Sequence, residues 1–82
     1  MTNLPRIHPQ AIVETDRTSV GEGSVVDACA ILRKGVVLGK NVVLHPLVVI
    51  KANVEIGDGV EIFPCAYVGK LPKGAVALAR VP

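Results

Sequence analysis

Two histidines are the side chains of this chain whose chemistry first suggests catalysis. His8 and His45 could each accept a proton near neutral pH, which is the task of a general base. We take His45 as the candidate base and Asp27 as the carboxylate that would orient its imidazole. His8 lies in the opening IHPQ and is assigned a structural role. The alternative for His45 is a solvent-exposed histidine with no catalytic task.

Two lysines near the C-terminus could contact phosphate groups. Lys70 and Lys73 lie in GKLPKG, and basic segments that contain glycine can cradle a phosphate with ammonium groups and backbone amides. The segment lacks the spacing of a P-loop, so a solvated tail is the alternative. We expect no metal site, because a zinc site of three histidines cannot be built from two. No bound cofactor is expected either.

Length and composition exclude several classes of protein. A chain of 82 residues has room for one small domain. The net charge of +2 and the aromatic content of 2% disfavour nucleic-acid binding. No apolar run approaches the ~18 residues of a membrane span, and MTNLPRIHPQ lacks the pattern of a signal peptide. We therefore expect a cytoplasmic protein with no membrane partner.

Large aliphatic residues recur every six positions through most of the chain. Six residues are three alternations of a strand, so these side chains all point to one side. The residues after each aliphatic supply turn chemistry, as in GEG, GKN and HPL. The sequence predicts an all-β fold, a parallel β-helix of about three and a half coils with these residues inward. The inward positions are Ile7, Val13, Val20, Val26, Leu32, Leu38, Leu44, Ile50, Ile56, Ile62 and Val68.

Three units of six give a coil of 18 residues, so residues one coil apart stack in columns. His45 and Asp27 share a column, which is why we pair them. Glycine and asparagine in one corner indicate a left-handed backbone there. The extra residue near 15–19 is interpreted as a bulge, and the charged columns as surface registry. The corner columns are Gly21/Gly39/Gly57, Gly23/Asn41/Gly59 and Asp16/Gly35/Asn53. The charged columns are Glu22/Lys40/Asp58 and Glu14/Arg33/Lys51.

The units VGEGSV, LGKNVV and IGDGVE resemble the hexapeptide repeat of the left-handed β-helix acyltransferases. The opening IHPQAIVE is similar to the start of bacterial UDP-N-acetylglucosamine acyltransferases and related sugar acyltransferases. The resemblance covers roughly residues 7–68. It implies a left-handed helix, a homotrimer, and acyl transfer from acyl-CoA or an acyl carrier protein to a sugar or nucleotide sugar. The family's catalytic histidine lies in a later coil, and no position here matches it.

Three regions are expected: an N-terminal cap (1–6), the hexapeptide-repeat β-helix (7–69) and an extended basic tail (70–82). The resemblance implies the scaffold of a sugar acyltransferase that is truncated and weakly active or inactive alone. The resemblance also implies that Lys70 and Lys73 contact the phosphates of coenzyme A or of a nucleotide sugar. The alternative is a non-catalytic module for trimerisation or assembly. A homotrimer would supply buried area that so short a chain lacks, and end-to-end stacking of open coils is the other arrangement.

Overall fold

The computed structural model describes residues 4–69, which form eleven two-residue strands joined by short corners. None of these residues lies in a helix, so this part of the chain has no helix that could span a membrane. The strands are β1 (Arg6–Ile7), β2 (Ile12–Val13), β3 (Ser19–Val20), β4 (Val25–Val26), β5 (Ile31–Leu32), β6 (Val37–Leu38), β7 (Val43–Leu44), β8 (Val49–Ile50), β9 (Glu55–Ile56), β10 (Glu61–Ile62) and β11 (Tyr67–Val68).

Each strand pairs in parallel with the third strand after it. The result is three sheets: sheet A has the order β1-β4-β7-β10, sheet B has β2-β5-β8-β11, and sheet C has β3-β6-β9. The chain therefore visits the three sheets in turn and climbs one layer per coil, which is a β-solenoid with three sides. The predicted parallel β-helix is confirmed, and its six-residue sides agree with the left-handed helix that the resemblance implies.

The register changes once along the chain. Val20 pairs with Leu38, which is an interval of 18 residues, whereas Ile7 pairs with Val26 and Val13 with Leu32, which are intervals of 19. The first coil therefore contains one extra residue, as the sequence predicted. That residue must lie after Val13 and before β3, in the corner between sheets B and C.

The bulge in this corner corrects one predicted column. Arg17 has a φ of 56°, like Gly35 and Asn53 at the same corner of the next coils, and the Gly35 amide donates to the carbonyl oxygen of Asp16 at 2.8 Å. Arg17, rather than Asp16, therefore occupies the column of Gly35. The Thr18 hydroxyl accepts from the Gly35 amide at 3.1 Å and so ties the bulge to the coil above.

The core is a column of aliphatic side chains inside the three sheets. Inward residues of the middle coils are buried, and Ser24, the buried polar side chain, donates to the Gly39 carbonyl and accepts from the Val42 amide. Ile7 points inward as predicted but is 44% exposed, because no coil covers it among the described residues. The buried hydrophobic residues are Val26, Ala30, Leu32, Val36, Leu38, Val42, Leu44, Val48, Ile50, Val54, Ile62 and Ala66.

The corner between sheets C and A confirms one glycine prediction and refines another. Gly23, Asn41 and Gly59 all have a positive φ, as expected of a repeated left-handed corner. Gly21 and Gly39 do not. A methyl group on Gly21 would overlap the carbonyl oxygen of Gly39, so the glycine there permits close stacking of coils rather than an unusual φ.

Candidate functional site

The candidate base lies in the corner between sheets A and B, which we call the His corner (residues 8–10, 27–29, 45–47 and 63–65). His45 follows β7 directly, and its Nε2 lies 2.7 Å from Oε2 of Glu61. Its ring stacks on Phe63 with centroids 5.5 Å apart and an interplanar angle of 20°. The side chain of His45 is 30% exposed. A half-buried imidazole is thus held by one carboxylate and one aromatic ring.

Glu61 reaches His45 across a diagonal of the solenoid. It is the outward residue of β10 and pairs with Val43 of β7, two residues before His45. The same relation, a corner residue and the outward residue sixteen positions later, places the Lys51 ammonium 5.7 Å from the ring centroid of Tyr67. Diagonal neighbours on one face lie within reach of long side chains, so these pairs follow from the coil geometry.

The pairing assigns chemical roles to the two nitrogens of His45. An ionised carboxylate only accepts hydrogen bonds, so Nε2 is the donor to Glu61. In the neutral ring Nδ1 then carries the lone pair and can take a proton from an attacking hydroxyl or amine. A carboxylate that fixes the tautomer of a histidine is the arrangement that nucleophilic enzymes use to orient their base.

The structure does not bring Asp27 to His45 as its hydrogen-bonding partner. Oδ1 of Asp27 accepts from the backbone amide of Ala28 at 2.7 Å, so this carboxylate stabilises its own corner. The carboxylate that orients His45 is therefore Glu61, not Asp27, although the catalytic role of His45 stays a prediction. Asp27 instead shares a shallow depression of about 470 Å³ with His8, whose Nδ1 accepts from the Gln10 amide at 3.0 Å.

Two predicted phosphate contacts, Lys70 and Lys73, lie outside the described residues. Among residues 4–69 no three His, Cys, Asp or Glu side chains come together in a group that could hold a metal ion. Cys29 and Cys65 are exposed free thiols in the His corner.

One outer surface of the solenoid is apolar in every layer, a feature that was not predicted from the sequence. The outward residues of sheet B are Ile12, Ile31, Val49 and Tyr67, and we call this column the B face. Ile12 is 57% exposed and Tyr67 61%. On the other two sheets the outward residues of the outermost strands are polar. They are Arg6 and Glu61 on sheet A, and Ser19 and Glu55 on sheet C. The sequence does carry a signal for this face. Every third six-residue unit belongs to sheet B, and its outward residue is never charged.

Comparison with known proteins identifies the repeat. The family described as "Bacterial transferase hexapeptide (six repeats)" matches residues 35–70. The chain is 34% identical over 70 residues to an acyl-(acyl-carrier-protein)–UDP-N-acetylglucosamine O-acyltransferase of Chlamydia pneumoniae, a match that covers 85% of this chain and 25% of the relative. Enzymes of the same description from Campylobacter concisus and Chlamydia caviae are 31% and 30% identical over 70 residues, covering 85% of this chain and 26% and 25% of those proteins.

These relatives are much longer than this chain, which spans about a quarter of their length. No solved structure matches the chain. The resemblance that the units VGEGSV, LGKNVV and IGDGVE indicated is nevertheless confirmed, because the repeat, the solenoid and the relatives all agree. The chain carries the hexapeptide repeats of the bacterial transferases over residues 35–70 and resembles the UDP-N-acetylglucosamine O-acyltransferases in the part that it shares with them.

Proposed function

We propose that this chain is the scaffold of a hexapeptide-repeat acyltransferase that acts on a sugar or nucleotide sugar. The acyl donor would be an acyl-CoA or an acylated carrier protein, used as a substrate rather than held as a cofactor. The observation that carries the proposal is the three-sided solenoid of residues 6–68, built from the repeat that the chain shares with three UDP-N-acetylglucosamine O-acyltransferases. Alone, the chain has weak or no activity, because it has no histidine at the position that matches the family's catalytic one.

The residue that could sustain weak activity is His45. Its Nδ1 is the nitrogen available to a substrate, since Glu61 occupies Nε2. In the reaction the base removes the proton of the acceptor hydroxyl or amine as that atom attacks the thioester carbon. The carbon–sulfur bond then breaks, and the thiol leaves with a proton. Lys70 and Lys73 are proposed contacts for the phosphates of the donor or of the nucleotide sugar.

The scaffold works as a homotrimer in this proposal. The B face offers an apolar surface for a second copy of the chain. Ile31 and Val49 lie at its centre, where contacts between subunits exclude water best. We place the protein in the cytoplasm, where two exposed thiols such as Cys29 and Cys65 stay reduced.

A second function, a non-catalytic assembly module, is favoured by the same B face, an apolar surface on which copies of the chain could associate. One experiment separates the two. The purified chain is incubated with acyl carrier protein or coenzyme A thioesters and UDP-N-acetylglucosamine, and the acylated sugar is sought by mass spectrometry while light scattering gives the assembly state. An acylated product above the level without protein supports the acyltransferase. A stable trimer that yields no product supports the assembly module and contradicts any acyltransferase activity of this chain by itself.

A further inference from the structure

Two residues of like charge face each other in one corner column of the solenoid. The corner between sheets C and A stacks Glu22, Lys40 and Asp58, so residues of opposite charge follow one another at the coil spacing of about 4.8 Å. The corner between sheets B and C instead stacks Arg33 directly below Lys51. Like charges in facing positions are destabilising, so an anion bound between Arg33 and Lys51 would relieve their repulsion.

We call this second corner the basic corner (residues 14–18, 33–35 and 51–53). Its nearest carboxylate is already occupied. Oε1 of Glu14 accepts from Nε of Arg33 at 2.9 Å and from the backbone amide of Lys34 at 2.9 Å. The hydrogen bond from the Arg33 side chain, followed by that from the Lys34 amide, holds the pKa of the Glu14 carboxyl below its usual range. Glu14 therefore balances Arg33 and also attracts Lys34, and Asp16 lies one coil below Lys34. The four cations of this corner, Arg17, Arg33, Lys34 and Lys51, still outnumber its two carboxylates.

Lys34 and Lys51 are the two lysines of this corner, and neither ammonium group forms an ion pair within residues 4–69. The ammonium of Lys51 lies 5.7 Å from the ring centroid of Tyr67, a contact that leaves its charge intact. The basic corner thus presents two ammonium groups outside ion pairs next to the guanidinium of Arg33. Glu14 holds that guanidinium through Nε, so its two terminal nitrogens keep their donors.

The surface is recessed where these cations meet. A shallow depression of about 360 Å³ is lined by Glu14, Arg33, Lys34, Lys51 and Ala52. Ala52 stands one coil above Lys34, and its small side chain leaves open the space that a longer residue would fill. The depression is therefore accessible and is bordered by three positive groups.

We propose that the basic corner binds a phosphate group, either as free inorganic phosphate or as the phosphate of a small metabolite. The planar guanidinium of Arg33 can donate to phosphate oxygens, and the two lysines add point charges. The site is solvent-exposed, so binding is weak and decreases as salt screens the charges. This inference does not depend on acyl transfer, and it replaces the interpretation of the column as surface registry.

The test is an NMR titration of the ¹⁵N-labelled chain with inorganic phosphate at low ionic strength. We expect saturable shifts centred on the amides of residues 33–35 and 51–53. Lys34→Ala combined with Lys51→Ala should weaken binding about tenfold or more, because each lysine makes a charge-assisted contact. Lys40→Ala removes another exposed lysine, one of the alternating column, and should change the affinity less than about twofold. Circular dichroism checks that both variants stay folded.

Parallel titrations with adenosine 3′,5′-bisphosphate and with UDP-N-acetylglucosamine distinguish the sources of the phosphate. Tighter binding of adenosine 3′,5′-bisphosphate indicates that the site prefers a terminal phosphate monoester. Tighter binding of UDP-N-acetylglucosamine indicates a diphosphate. Either result supports the site if the double lysine variant loses that binding. Shifts that never saturate with phosphate would overturn the proposal. An equal loss of affinity in the Lys40→Ala chain would overturn it too, because binding would then follow net charge alone.

Discussion

The backbone of Gly39 lies against Asp58 in the coil above, so closely that a side chain at position 39 would displace it. A methyl group on Gly39 would overlap Oδ1 of Asp58 and would lie 2.8 Å from its backbone nitrogen. That same Oδ1 accepts from the Lys40 amide at 2.9 Å and so joins the two coils. Gly57, the next glycine of the column, has no atom of residues 4–69 within 4 Å of the same point.

This difference predicts opposite effects for one substitution at two glycines. Gly39→Ala should destabilise the fold by about 1–3 kcal/mol, because the methyl group forces the coils apart. Gly57→Ala should be neutral or stabilise by less than about 1 kcal/mol, since it removes backbone freedom from the unfolded chain and meets no clash among residues 4–69. Urea unfolding followed by circular dichroism measures both. Equal free energies of unfolding for the two variants would contradict the stacking of coils described above.

Leu38 and Val37 test which residues point inward. Leu38 is 2% exposed and Val37, its neighbour on β6, is 39% exposed. Leu38→Asp would bury a carboxylate among aliphatic side chains and should cost several kcal/mol, on the order of the whole stability of a small domain. Val37→Asp faces solvent and should cost less than about 1 kcal/mol. Denaturant unfolding of both variants measures these costs. A larger loss of unfolding free energy for Val37→Asp than for Leu38→Asp would mean that Val37, not Leu38, points inward.

Glu14 predicts a specific loss of stability in acid. Hydrogen bonds from the Arg33 side chain and the Lys34 amide lower the pKa of this carboxyl from its ordinary 4.5. A carboxyl with a lowered pKa contributes stability above its unfolded-state value, and that contribution is lost as the pH falls through the folded-state value. The wild type should therefore lose more stability than Glu14→Gln between pH 7 and pH 3.

The thermal midpoint at each pH measures this loss. Glu55→Gln is the matched control, because Glu55 faces outward on β9 and forms no ion pair within residues 4–69. We expect the Glu55→Gln chain to keep the wild-type dependence on pH. If Glu14→Gln also kept it, the contacts of Glu14 in the bulge would not form in solution.

The B face predicts how copies of the chain associate. Val49 lies at its centre, and Val49→Lys would place an ammonium group in the buried middle of a subunit contact, where unpaired charge is costly. Multi-angle light scattering should show a trimer for the wild type and a monomer of 8.6 kDa for Val49→Lys. Val37→Lys makes the same change on sheet C and should stay trimeric. A wild type that is monomeric at micromolar concentration would disprove the homotrimer.

Most of the fold could be predicted from the sequence, because a period of six constrains strand direction, side and register together. Val20 and Leu38 pair as the period requires. The position of the extra residue could be predicted only to a range, since periodicity shows that the phase shifts between Val13 and Val20 but not which residue bulges. The positive φ of Arg17 puts it in the column of Gly35, so the extra residue lies between Val13 and Arg17; nothing in an arginine predicts that backbone conformation.

The partner of His45 could not be predicted from columns alone. Columns compare residues 18 apart, and they placed His45 with Asp27. The observed partner, Glu61, is 16 residues away and reaches His45 along a diagonal. Asp27 is short and takes the amide of the next residue instead, as aspartate commonly does in turns. Side-chain length and local competition for hydrogen bonds therefore decided the site within a fold that the repeat had determined.

The most direct test of the acyltransferase proposal is the steady-state rate of thiol release from an acyl donor in the presence of UDP-N-acetylglucosamine. We predict a weak rate for the wild-type chain that falls about 10²–10⁴-fold, or to background, in His45→Ala, because a general base contributes on that order. His8→Ala removes the other imidazole and should leave the rate unchanged, since Nδ1 of His8 already accepts from the Gln10 amide. Strong turnover that persists in His45→Ala would contradict the assignment of the base to the His corner.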